Sequence, residues 1–114
     1  MASLLQILAT PTRQRILQLC WEREQTAGEI AAGCEVTFGA VSQHLGILRQ
    51  AGLVRRRESG RERIYRADRS ALGPLAAVLE AQWAAALNRL KVVAEAAANT
   101  RRPRRHLRQD GTAR

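Results

Sequence analysis

Ser42 and Gln43 are polar side chains short enough to hydrogen-bond base edges, and Arg49, Arg55, Arg56, Arg57, Arg61 and Arg63 follow within a score of residues. A glutamine amide can pair bidentately with adenine, whereas a guanidinium grips phosphate. Ahead of them, Thr37 has the side chain of a helix N-cap. The amides of Phe38 and Gly39 after it would sit at the positive end of a helix dipole, where they suit phosphate contact, and Gly39 lets backbone approach closely. Phe38 could meet a thymine methyl or cover the corner before this helix. The chemistry on offer is nucleic-acid recognition.

Such groups need a rigid carrier, and the spacing supplies one. Val41, His44, Leu45 and Leu48 fall on one face of a helix over 37–50, while Ser42, Gln43, Gly46 and Arg49 point the other way. Gly52 stops that helix. Leu53 to Arg57, a turn at Gly60, and Ile64-Tyr65 then read as a basic hairpin, giving a wing at 53–66. Arg55 and Arg57 cannot share a strand face with Arg56, so at least one arginine should miss the DNA. Tyr65 is expected to pack against the domain.

Thr26 and Glu29 are spaced as a capping box opening a short helix with Ile30 and Ala31 inward, closed by Gly33. Only Cys34 to Val36 separate it from the next helix, the length of a helix-turn-helix turn. Upstream, Leu4, Leu5, Ile7 and Leu8 make a short apolar helix. Thr10-Pro11 ends it and opens a second helix to about Arg23, with Ile16, Leu17, Leu19 and Cys20 buried and Arg13 and Arg15 outside. Asp68, Ser70 and Gly73-Pro74 are alternative starts of a long helix to about Ala98. Its stripe of Leu72, Leu75, Leu79, Trp83, Leu87, Leu90 and Ala94 is more apolar surface than one small domain covers. A second copy of the helix, packed with the N-terminal one, would cover it; folding back onto its own domain is the other possibility. The expected fold is therefore mainly α with a small β-hairpin wing, a winged helix-turn-helix that dimerises through its N- and C-terminal helices. Leu4, Leu5, Leu8, Leu75, Leu79, Trp83, Leu87 and Leu90 would form the dimer interface.

The 114-residue chain has room for one domain, here 1–100, and carries a net charge of +9 from 19 Lys+Arg against 10 Asp+Glu. That balance favours a polyanionic partner. Residues 101–114 hold six arginines and one acid, and so supply +5 of the total. With Pro103 and Gly111 and few apolar residues, they are expected to be a disordered basic tail, either a phosphate-binding arm or a solvated appendage. No apolar run is long enough for a transmembrane helix and no secretory signal is evident, so the cytoplasm is the expected compartment.

The runs TAGEIA at 26–31, VTFGAVSQHLGILRQAGLV at 36–54, ESGRERIY at 58–65 and WAAALNRL at 83–90 resemble the ArsR family of bacterial winged-helix repressors. The resemblance spans roughly residues 4–96. It implies a homodimer that binds a roughly two-fold symmetric operator on double-stranded DNA, often near its own promoter, and blocks transcription. Metal-sensing members carry a Cys-x-Cys pair at the start of the third helix, where this chain has Thr26 and Gly28. The family's other site needs Asp and His near the start of the last helix with His and Glu further along, and 72–98 contains no His. The resemblance therefore implies the branch without the metal ligands, with no metal, no cofactor and an unidentified effector.

Two other functions are compatible with parts of the chain. One is a sequence-tolerant or architectural nucleic-acid binder using the same helix, wing and tail. The other is a thiol-based redox or metalloid sensor using Cys20 and Cys34, whose spacing matches no zinc motif and which are expected to be packing residues. His44 is expected to make a structural contact rather than to bind a ligand. No catalytic constellation is present in the sequence, so an enzyme is not expected.

Overall fold

A computed structural model describes residues 3–109. Helices α1 (Leu4–Leu8) and α2 (Pro11–Leu19) lead into a two-residue strand β1 (Gln25–Thr26), then α3 (Ala27–Ala32) and α4 (Phe38–Gln50). The hairpin β2 (Val54–Ser59) and β3 (Glu62–Ala67) follows, then a single turn α5 (Arg69–Leu72) and the long α6 (Leu75–Gln109). The chain divides into two compact units, one ending at Ala76 and one beginning at Ala77. The first holds the candidate reading helix α4 and the whole wing.

Local signals set most boundaries. Ser3 and Gln6 form a capping box on α1, and Thr26 and Glu29 form the expected one on α3. Thr37 caps α4, its hydroxyl accepting from Ala40 N–H at 3.1 Å. At the other end Gly52 takes φ 81°, Leu53 N–H bonds Leu48 C=O at 2.9 Å and Gly52 N–H bonds Arg49 C=O at 3.0 Å. This double bond is a Schellman motif, and it needs a residue at ease with positive φ. The hairpin turns through Gly60 (φ 63°) and Arg61, since Ser59 pairs with Glu62.

Four expectations change. Helix α2 ends at Leu19 rather than near Arg23, because Cys20 C=O turns out of the helix to accept from Ala67 N–H at 3.0 Å, and Trp21 enters the core. The hairpin is not alone: β1 pairs antiparallel with β3, Gln25 opposite Tyr65 and Thr26 opposite Ile64, in a sheet of order β1-β3-β2. Two of the three candidate starts after the wing are used, Asp68 capping α5 and Gly73 (φ 57°) separating it from α6, while Ser70 lies inside α5. The backbone of α6 continues past Ala98 to Gln109, since the alanine-rich stretch before Thr100 contains no helix stop. Residues 110–114 of the basic tail lie outside the described residues.

The core of the first unit is built around α4. Val41, Leu45 and Leu48 are essentially inaccessible, as are Ile16, Leu17, Cys20, Ile30, Leu53 and Leu72, and α4 packs against α2, α3 and β2. Tyr65 is buried as expected. His44, on the edge of the buried face, accepts a hydrogen bond at Nδ1 from Arg13 Nε at 3.1 Å, while Arg13 Nη1 donates to Ile7 C=O at 3.1 Å. One guanidinium thus joins α1, α2 and α4. Burial, then the neighbouring Arg13 charge, lowers the His44 pKa and favours the neutral acceptor that this bond requires.

The two sides of α4 should respond oppositely to small substitutions. Leu45→Ala should cost about 2–5 kcal/mol of stability by opening a cavity. Gly46→Ala, where an added Cβ meets nothing within 4 Å, should stabilise by about 0.5–1 kcal/mol through helix propensity. Urea unfolding of both variants measures the pair, and a destabilising Gly46→Ala would contradict the exposure of that face.

Candidate nucleic-acid interface

Because Val41, Leu45 and Leu48 hold α4 down, its opposite side must face solvent. Ser42, Gln43, Gly46 and Arg49 are all exposed there, and Phe38 at the N-terminus is 57% exposed despite its size. The first amides of a helix have no intrahelical acceptor, so Phe38 and Gly39 N–H are available at the positive end of the dipole.

The wing comes back to the same place. Phe38 lines a cleft of about 440 Å³ together with Thr26 and Gly28 of the α3 start and Arg61, Glu62 and Arg63 of the wing tip. Arg61 and Arg63 are exposed. Helix N-terminus, aromatic ring and two guanidinium groups therefore surround one concavity.

Strand register sorts the remaining arginines. Arg55 pairs with Arg66 and Arg57 with Ile64, putting them on one face of the hairpin, while Arg56 pairs with Tyr65 and Glu58 with Arg63 on the other. Arg55 and Arg57 thus stand on the side away from Arg63, where both are engaged. Arg57 forks onto Glu24, Nε to Oε2 at 2.7 Å and Nη2 to Oε1 at 2.8 Å. Arg55 Nε donates to Asp68 Oδ2 at 3.0 Å. Hydrogen bonding from Arg57 lowers the Glu24 pKa, and hydrogen bonds from Ser70 and then Arg55 lower that of Asp68. The sequence placed Arg55 and Arg57 with Arg61 and Arg63; the fold separates the two pairs. Glu24, which by sequence reads as part of a solvated face, meets Arg57 across 33 residues, a distance no local spacing announces. The one legible signal was the Gly60-Arg61 turn, which fixes the cross-strand register.

The residues expected at a dimer interface fall into two groups. Leu8 and Leu79 are buried within the single chain, and Leu4, Leu75 and Trp83 are partly covered. Leu5, Leu87 and Leu90 are each about two-thirds exposed, and Val93 adds 65% exposure on α6.

The thiols occupy unreactive surroundings. Cys20 is fully buried, donates from Sγ to Ile16 C=O at 3.3 Å, and has its pKa pushed up to about 11 by desolvation. Cys34 is partly exposed beside Pro11, Arg15 and Val36, and burial raises its pKa as well. Thr26 spends its hydroxyl on Glu29 N–H as a helix cap. Among the described residues, no group of three or more His, Cys, Asp or Glu converges as a metal cage would require, and no helix is long and apolar enough to cross a membrane.

Comparisons with known proteins agree with this geometry. A helix-turn-helix domain family matches residues 8–57. Over 82 residues the chain is 38% identical to the HTH-type transcriptional regulator Rv2034 of Mycobacterium tuberculosis, covering 72% of this chain and 77% of that protein. Among solved structures, a possible transcriptional regulator for arsenical resistance is similar at 40% identity with a TM-score of 0.62, over 81% of this chain and 96% of that one. An ArsR-like transcriptional regulator from Rhodococcus sp. RHA1 is similar at 33% identity with a TM-score of 0.56, over 80% and 86% of the two chains.

The thiol environments predict a clear order of reactivity. At about pH 8 a thiol-specific reagent should modify Cys34 slowly and leave Cys20 untouched until the protein unfolds. Stoichiometric reaction of Cys20 in the native protein would contradict its burial.

Proposed function

The chain belongs to the ArsR family of winged helix-turn-helix transcriptional regulators, and from that premise we propose that it is a cytoplasmic, homodimeric repressor of a roughly two-fold symmetric operator. Helix α4 enters the major groove. Thr37, Phe38 and Gly39 approach the phosphates or a thymine methyl, Ser42 and Gln43 meet base edges, and Arg49 follows the groove wall. Arg61 and Arg63 at the wing tip reach phosphate or the adjacent minor groove. Occupying the operator blocks transcription. The observation that carries this reading is the shared concavity of Phe38, Arg61 and Arg63 at the start of a helix whose polar side is entirely exposed.

The dimer rests on α1 and α6. Leu87, Leu90 and Val93 leave an apolar stripe open along α6 in one copy, and Leu5 is separately exposed on α1; a monomer of this size rarely leaves such a stripe bare. A second copy of the same helix covers the stripe and brings two copies of α4 to one operator. Replacing both Leu87 and Leu90 by Asp should yield a monomer of 12.6 kDa that has lost operator binding, as read by sedimentation and gel shift. A dimer surviving both changes would rule out this face.

Sequencing the DNA fragments selected by the purified protein tests the main reading. An enriched motif with two-fold symmetry is expected, and its absence would overturn the repressor assignment. Gln43→Ala should change the preferred base at one position per half-site, worth about 1–3 kcal/mol of discrimination. Arg63→Gln should instead weaken binding to all duplexes and reduce the salt slope by about one.

A further inference from the structure

Among the described residues, half-buried Arg13 bonds only neutral acceptors: Nη1 donates to Ile7 C=O and Nε to His44 Nδ1, each at 3.1 Å. A guanidinium more commonly takes a carboxylate. Gln14 beside it donates to Leu8 C=O at 2.6 Å. Two consecutive α2 side chains thus hold the C-terminal carbonyls of α1, which a helix leaves without internal partners, and one of the two reaches on to α4.

The place it reaches matters, because His44 directly follows Ser42 and Gln43. The buried stripe of Val41, Leu45 and Leu48 decides which side of α4 faces out. Reading base edges also requires placement within about 0.5 Å, and a directional hydrogen bond supplies what non-directional apolar contact does not. Acceptance at Nδ1 requires that nitrogen to be free of a proton. An imidazolium has no lone pair to offer and sets a second positive charge against Arg13.

No anion compensates such a charge, for among the described residues no carboxylate forms an ion pair with His44. From α2 the charged group at His44 is Arg13, while Arg15 is committed to Gly33 C=O and Gln18. Glu29 of α3 is taken by the Thr26 cap. On β2, Arg55 and Arg57 bond Asp68 and Glu24, and Arg56 and Glu58 stand opposite Tyr65 and Arg63. Arg49 on α4 itself is exposed and adds only positive charge. Burial, then the Arg13 charge, lower the His44 pKa from its ordinary 6.5. The tie is therefore complete above that value and is lost as the pH falls through the lowered one.

We propose that Arg13 is a positioning residue for DNA reading that acts through neutral His44, so that mild acid releases the tie and weakens operator binding. The proposal rests on the reading of α4 as the recognition helix. Protonation lowers the fraction of chains with α4 in its reading position, and apparent affinity falls with that fraction. Charge alone predicts the opposite sign, because an added cation beside DNA tightens binding.

The full chain and a duplex that it selects provide the test, with affinity read by fluorescence anisotropy at constant ionic strength from about pH 8 to about pH 5.5. Wild type should lose affinity several-fold across this range with its helical circular dichroism unchanged. In His44→Asn, Oδ1 stands in for Nδ1 and does not titrate, so affinity should change by less than about twofold. His106→Gln, at the chain's other histidine, should keep the wild-type loss. Without DNA, nitrogen NMR should find the His44 proton on Nε2 at about pH 8, and Arg13→Gln should raise the titration midpoint toward 6.5. Superimposed pH profiles of wild type and His44→Asn, tighter binding of wild type in acid, or loss of helix in step with affinity would each overturn the proposal and leave α4 as the reader. Failure to select any duplex would instead remove the DNA reading, and this proposal with it.

Discussion

Burial of one stripe of α4 is the constraint on which the rest of the first unit depends. Val41, Leu45 and Leu48 are sealed against α2, α3 and β2, and a helix held along one side has no freedom to choose what it shows on the other. The same stripe fixes the wing, because the Schellman bonds from Gly52 and Leu53 close α4 directly into Val54, itself buried. No slack lies between the reading helix and the strand that carries the arginines. Asp68 N–H returns to Leu53 C=O at 2.8 Å and closes the hairpin's other end on the same point.

Charge is arranged around that frame by strand alternation. A hairpin of period two splits a run of arginines between its faces, so the dense basic sequence from Arg55 to Arg66 is divided between two sides of the wing. At the tip, Arg61 and Arg63 sit with Phe38. On the other side, Arg55 and Arg57 meet Asp68 and Glu24. Both ion pairs are exposed, so their worth lies in orienting the guanidinium groups more than in stability.

The elements that carry local signals were legible in the sequence. Thr37, Gly52 and Gly60 each answer a backbone need that few residues meet, and the α4 stripe repeats often enough to fix its face. Thr26 and Glu29 were readable for the same reason, since both halves of a capping box lie within one turn. What escaped depends on distant partners. Strand β1 is two residues long and exists only because β3 passes beside it. The early end of α2 is set by Ala67, and the engagement of Arg57 by Glu24. The apolar residues of α6 were visible, but their division into buried Leu79 and exposed Leu87 and Leu90 was not, because periodicity gives a face and not its cover.

The central claim is that one concave surface, the start of α4 with the wing tip, is where DNA is read. Amide chemical-shift mapping of the full chain on addition of a selected operator duplex tests it most directly. The account predicts the largest changes at Thr37 to Gln43 and at Gly60 to Arg63, with Arg55, Arg57 and Arg66 little affected. Dominant changes on the Arg55 and Arg66 face, with α4 undisturbed, would contradict it.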